Sequence, residues 1–342
     1  MRKVLGILLA FFIVVLLLCG AGAGLIFYLD SPAPDSPEGP APFTISEGEP
    51  LVSVARRLEA GKLVRSSRFL VALSKLRRSE TLFQRGSYLV PPGKTTRGIH
   101  DFLIAGSQLL VRVTIPEGWT LSRTAGLFEE KKICSRESFL AAAQNRGTLD
   151  SLGIPADSAL GYLFPDTYFF PEDFPADRII AEMAGNFRRK MSEIDPEYEK
   201  LRPGELHEQV TLASIVEREY RDPAEAPLMA SVFYNRLGIK MALGSCATVE
   251  YIITEIQKKP HPEFLTYRDI EIPSPYNTYQ HIGLPPGPIC NPGKTALEAV
   301  FFPAKTDYWY FVLKDPAAGT HFFSRNLQEH NSAKVVYLKK VS

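Results

Sequence analysis

An uncharged stretch runs from Val4 to Leu29, directly behind Arg2 and Lys3. A bilayer-crossing helix needs about 20 apolar residues, so this run of about 26 is long enough even when tilted. A cleaved leader is the competing reading, because Ala21-Gly22-Ala23 imitates a small-residue cleavage site. The apolar core of a leader is usually only about 7 to 15 residues long. Here apolar residues continue beyond the triplet to Leu29, and Leu18 makes Cys19 a poor lipidation site. The sequence therefore predicts a single-pass anchor over residues 1–29. Its basic N-terminus would stay in the cytoplasm, with everything after Asp30 outside, on the periplasmic or extracytoplasmic side.

Residues 30–42, Asp-Ser-Pro-Ala-Pro-Asp-Ser-Pro-Glu-Gly-Pro-Ala-Pro, read as a proline-rich spacer. In an extended polyproline conformation it would reach about 40 Å and lift the folded body off the membrane. The chain carries 39 Lys and Arg against 38 Asp and Glu, a formal charge of +1, so no chain-wide basic field exists for a nucleic acid. The basic cluster Lys75, Arg77, Arg78 and Arg85 reads as a solvated helix face. The four cysteines, at 19, 134, 246 and 290, contain no C-x-x-C pair and predict no metal site. In an exported body a Cys246–Cys290 disulfide and two free buried thiols both fit.

The folded body starts with a strand at Phe43-Thr44-Ile45 and a turn over Ser46-Glu47-Gly48-Glu49. Helices over Leu51 to Ala60 and Ser67 to Leu76 follow, then a strand at Gly86 to Val90. A helix from Thr96 to Ile104 and a strand from Leu109 to Ile115 complete this part. Residues 43–110 thus form a small strand–helix–helix–strand module. Residues 111–342 form a larger mixed domain: mostly helical to Leu201, interrupted by the aromatic run Gly161 to Phe170, then a helix pair, a loop from Pro273 to Gly293, a helix over Lys294 to Val300, and a hairpin of Tyr308 to Lys314 with Thr320 to Ser324. The fold class expected is α+β.

Within the helix pair, Leu206, Val210, Ala213, Val216 and Tyr220 share one apolar stripe of a helix ending near Tyr220. Asp222-Pro223-Ala224-Glu225 then reads as a capping box opening a helix to Gly238. Two glutamates near the break compete for attention. Glu217 points into the apolar stripe, where desolvation would raise its pKa, and periodicity favours it slightly as an acid. Glu219 lies roughly 200° away on the helix and cannot share its cleft. The unremarkable alternative is that Glu217 pairs with an arginine such as Arg236 while Glu219 sits on the surface. Asp166 reads as a turn residue that bonds backbone. No H-E-x-x-H, G-x-S-x-G or phosphate loop occurs, which disfavours metal, serine-nucleophile and nucleotide chemistry.

Ala213-Ser-Ile-Val-Glu217-Arg-Glu219, Ala230-Ser-Val-Phe-Tyr-Asn-Arg-Leu237, Ser274-Pro-Tyr-Asn-Thr-Tyr279 and Gly283-Leu-Pro-Pro-Gly-Pro-Ile289 occur in that order, with Phe164 to Tyr168 before them and Pro303-Ala-Lys305 and His321 to Ser324 after. Together they resemble the YceG-like endolytic murein transglycosylases, bitopic inner-membrane enzymes that cleave nascent peptidoglycan. The resemblance implies a LysM-like subdomain in the small module, a catalytic transglycosylase domain after it, and no cofactor. It also moves the catalytic role to Glu219, the second glutamate of the pair. Three departures from the family pattern are Tyr220 for a threonine, Leu160 for a glutamate, and Cys246-Ala247 for Asp-Pro.

The implied reaction is lytic cleavage of the MurNAc–GlcNAc bond with 1,6-anhydro-MurNAc formation, terminating strand elongation. Hydrolysis generally uses two carboxylates. A lytic enzyme needs one, because the C6 hydroxyl of the sugar attacks its own C1. Tyr276, Asn277, Tyr279 and Gln280, with Glu217 nearby, are the candidate substrate-binding residues. Expected partners are peptidoglycan glycan strands, the membrane and cell-wall synthases. A hydrolytic muramidase and a non-catalytic, membrane-tethered peptidoglycan binder or divisome scaffold are the rival readings.

Overall fold

A computed structural model describes residues 2–46, 48–106 and 110–338, with side chains described from residue 12 to 337 within those limits. Leu109, Glu47 of the expected turn, and the side chains of Arg2 and Lys3 lie outside the described residues. The fold is α+β, with two-stranded sheets among the described residues and helices supplying most of the core. The chain divides into two compact units, residues 1–111 with 171–173, and residues 112–170 with 174–342.

The first unit begins with α1 (Arg2–Asp30). From Phe12 to Tyr28 its side chains are exposed, so a long apolar helix leaves most of its surface uncovered by protein. Length and composition suit it to a bilayer. β1 (Ala41–Ile45) pairs antiparallel with β2 (Gly86–Val90), Phe43 facing Tyr88. Between these strands lie α2 (Leu51–Ala60) and α3 (Ser67–Leu76), and α4 (Thr96–Ile104) follows. Strand alternation sends Phe43, Ile45, Tyr88 and Val90 inward, where they meet Val54, Leu58, Leu70, Ile99 and Leu103 in one core. Ser66 and Thr95 cap α3 and α4 by accepting from the Phe69 and Gly98 amides, the stop-and-start chemistry these short helices need.

The spacer departs from its expected form. Residues 31–40 turn rather than extend: the Ser36 amide donates to the Ala33 carbonyl, Ala33 is buried, and Arg65 donates to the Pro32 carbonyl at 2.7 Å. Proline density favours extension only while nothing competes, and here the folded unit supplies a partner to the Pro32 carbonyl.

β3 (Leu110–Thr114), in the second unit from Arg112 onward, pairs with β4 (Thr167–Pro171). Between them come α5 (Leu121–Glu130), α6 (Arg136–Ala142) and α7 (Arg146–Ser151), and α8 (Ala176–Ile194) follows β4. The central element is α9 (Pro203–Glu219), fully buried from Val210 to Val216 and packed by α10 (Ala226–Gly238) and α12 (Lys294–Phe301). Between those two, α11 (Cys246–Tyr251) continues as a π-helical turn over Ile252–Ile256. A hairpin of β5 (Tyr310–Asp315) and β6 (Thr320–Ser324) precedes α13 (Leu327–Leu338). α11 and α13 were not anticipated from the sequence.

The expected capping box is only half formed. Asp222 accepts from the Ala224 amide, but Pro223–Glu225 is a 3-10 turn, and Glu225 instead accepts from the amide and Nδ1 of His321 on β6. That pairing, with Asn235 donating to the Thr306 and Tyr308 carbonyls, pins the hairpin to α10. Gly161 holds the aromatic run against the Pro273–Gly293 loop. Its φ is +90°, its amide donates to Asn291 Oδ1 at 2.8 Å, and a Cβ there would strike Pro288 and Val210.

Candidate active site

α9 ends on Glu219, and its backbone is rigid up to that point because seven consecutive residues behind it are buried. Ser245, immediately before α11, donates its hydroxyl to Glu219 Oε1. Ser245 is itself buried and clamped. Its amide donates to Thr278 Oγ1 at 3.0 Å, its carbonyl accepts from Thr248 Oγ1 at 2.7 Å, and the preceding Gly244 amide donates to the Thr278 carbonyl at 2.9 Å. A serine fixed at both its amide and its carbonyl fixes the carboxyl it bonds.

Burial pushes the Glu219 carboxyl above the ordinary carboxylate range. The Ser245 bond opposes that shift, Glu250 adds to it, and Arg236 and Arg218 oppose it. Glu219 as a residue is half-buried. Glu250 is held by Arg218 at 2.9 Å and by His261 at 3.3 Å. Arg236 donates to the Leu243 and Trp309 carbonyls and lies over the Tyr310 ring. A carboxyl whose burial favours the protonated form can release its proton to a leaving oxygen and later take one back.

The other glutamate has different surroundings. Glu217 Oε2 accepts from the Gly293 amide, at the start of α12, at 2.9 Å. Burial pushes its carboxyl up to about 7, and the neighbouring Glu117 adds to the rise while the Gly293 amide opposes it. Arg236 is not its partner, contrary to the unremarkable expectation. Glu217 therefore ties α9 to the start of α12.

The loop residues expected to line a sugar site differ among themselves. Asn277 is fully buried: its amide donates to the Ile270 and Ile272 carbonyls and its Oδ1 accepts from the Tyr279 amide. These side-chain hydrogen bonds are spent within its own loop, which they brace. Tyr279 is 37% exposed, and its hydroxyl lies 3.1 Å from Cys246 Sγ. Its ring borders Gly244, the residue before Ser245. Gln280 is exposed, and Tyr276 is half-buried against Tyr251, ring centroids 5.0 Å apart. Asp166 accepts from the Thr167 amide and from Asn186, as a turn residue does. Cys246 and Cys290 are free; Cys246 is exposed, and buried Cys290 donates to the Ser214 carbonyl.

Sequence reasoning missed Ser245 and the Arg218–Glu250 pair. A serine ahead of a helix is a recognisable cap signal, but its side chain points 26 residues back along the chain, to Glu219, which no local periodicity encodes.

Comparison with known proteins agrees with this architecture. A crystal structure of a yceG-like protein from Listeria monocytogenes superposes with a TM-score of 0.57 at 29% identity, covering 85% of this chain and 98% of that one. An endolytic murein transglycosylase of Bacillus subtilis is 30% identical over 86% of this chain and 84% of its own length. One from Streptococcus pneumoniae is 29% identical over 94% of this chain and 63% of its own. The model of the YceG-like family matches residues 43–335, which takes in the small module, both glutamates, Ser245 and the hairpin, and so the chain belongs to the YceG-like family.

Proposed function

We propose that this chain is a membrane-anchored peptidoglycan lytic transglycosylase with Glu219 as its proton-transferring group. The observation that carries the reading is a single carboxyl at a rigid helix end, desolvated, raised in pKa and held by a clamped serine. Glu219 protonates the oxygen between MurNAc and GlcNAc as the bond breaks. It then takes the proton of the MurNAc C6 hydroxyl as that oxygen closes on C1, leaving a 1,6-anhydro end. Binding the sugar so that C6–OH lies over C1 replaces the second carboxylate and water of a hydrolase. Tyr276, Tyr279 and Gln280 supply aromatic and amide contacts to the strand, and Asn277 holds their loop. Residues 43–110 would serve as a LysM-like module that positions glycan. Internal cuts in new strands, with α1 as anchor and the body outside the cytoplasm, would terminate their elongation beside the synthases.

Hydrolysis is the reading to separate. Glu250 is the carboxylate that acts on Glu219, but it is committed to Arg218 and His261. Mass spectrometry of digested glycan decides. Anhydro-ended fragments support the lytic reaction, reducing ends would replace it with a muramidase, and no fragments would leave a non-catalytic binder.

A further inference from the structure

The end of α1 is built into the first unit. Thr96, at the first turn of α4, donates its hydroxyl to the Leu29 carbonyl at 3.1 Å, and the Arg97 amide donates to Asp30 Oδ1 at 2.8 Å. The Arg65 guanidinium lies 4.4 Å from the centre of the Tyr28 ring and donates to the Pro32 carbonyl. Lys62 pairs with Asp35 at 3.1 Å. Two parts of the module, the turn before α3 and the start of α4, therefore sit where the apolar helix emerges. With α1 in a bilayer, those parts stand at headgroup level, since the folded spacer provides no stand-off.

Charge at that level is one-sided. Residues 43–106 hold eleven Lys and Arg against five Asp and Glu, whereas the whole chain is only +1. Three of these cations, Lys62, Arg65 and Arg97, bond residues at the exit of α1, and Lys94 lies two residues before the Thr96 that bonds it, against Asp30 and Asp35. Phe27 and Tyr28 are exposed there as well, an aromatic pair of the kind that settles at the membrane–water boundary. Long basic side chains beside such a pair reach headgroup phosphates while their stems lie over apolar surface.

We infer that this rim docks on the headgroups of an anionic bilayer, so that the first unit is held flush with the lipid instead of swinging on a tether. The inference rests on α1 being a membrane helix. The occupant is an anionic phospholipid phosphodiester, chosen by charge complementarity and by continuity with the helix that enters the same membrane.

The test uses the full chain in nanodiscs of phosphatidylcholine alone or with one-third phosphatidylglycerol, following amide hydrogen exchange over residues 62–68 and 94–98. The expected result is at least threefold slower exchange with phosphatidylglycerol, reversed by about 0.5 M salt, where the Debye length is only a few ångströms. Lys94→Gln with Arg97→Gln removes the difference. Lys75→Gln with Arg78→Gln removes the same charge about 15 Å away, at the other end of α3, and leaves the difference intact. Equal exchange in both lipids, or equal loss from both double variants, overturns the inference and leaves the anchor standing. A chain that alkaline carbonate strips from membranes overturns the anchor and the inference together.

Discussion

Ser245, buried ahead of α11, donates a hydrogen bond to Glu219, the last residue of α9. Two elements meet at this bond, and its donor is fixed by Thr278 and Thr248. The consequence is a carboxyl with a set orientation whose proton affinity is balanced between burial, which raises it, and the serine, which lowers it.

Replacing Ser245 by alanine should therefore do two separable things. The carboxyl loses its orientation, and kcat falls about tenfold, worth roughly one hydrogen bond. The lowering influence also disappears, so the basic limb of the pH–rate profile moves to higher pH. Ser245→Thr keeps the hydroxyl and should restore both. A purely structural serine would lower activity without moving the limb.

Glu250→Gln should shift the same limb the other way. Glu250 raises the Glu219 pKa, and its removal frees Arg218, which lowers it. The general acid then deprotonates earlier and activity is lost at lower pH. A pH–rate series on purified glycan, with an unshifted or upward-shifted limb, would contradict the electrostatic account.

Glu217 gives a stability prediction with a definite sign. Its folded-state pKa is about 7 against an ordinary 4.5, so the folded chain binds the proton more tightly than the unfolded one. That contribution is full below about pH 4.5 and is lost as pH rises through 7, by on the order of 3 kcal/mol. Glu217→Gln keeps an acceptor for the Gly293 amide and should flatten this decline in denaturant melts, with activity within about threefold of the parent. Glu217→Ala leaves that amide without its partner and should cost about 1–3 kcal/mol.

Gly161→Ala tests the seam between the aromatic run and the Pro273–Gly293 loop. Its positive φ and the collision with Pro288 and Val210 should together cost about 2–4 kcal/mol, read as a fall in denaturation midpoint.

Elements whose signal is local were legible in the sequence. α3 and α4 begin and end where caps and apolar spacing put them, and the core of the first unit follows strand alternation. The position of Glu219 at a helix end was legible for the same reason, because Asp222-Pro223 breaks the helix beside it. What faces Glu219 was not, since Ser245, Arg236 and Glu250 come from other elements. Helical phase alone favoured Glu217, because burial raises both carboxyls and phase cannot tell a residue tying two helices from one facing a partly open site. The spacer failed for another reason: composition describes a free chain, and Arg65 and Lys62 give this one something to fold against.

The most direct measurement is product analysis of peptidoglycan strands treated with the full-length chain and with its Glu219→Gln variant. The account predicts anhydro-ended internal fragments from the parent and a loss of roughly 10²–10⁴-fold in the variant, at unchanged folding. Anhydro fragments formed at parental rate by Glu219→Gln, or only reducing-end fragments from the parent, would contradict it.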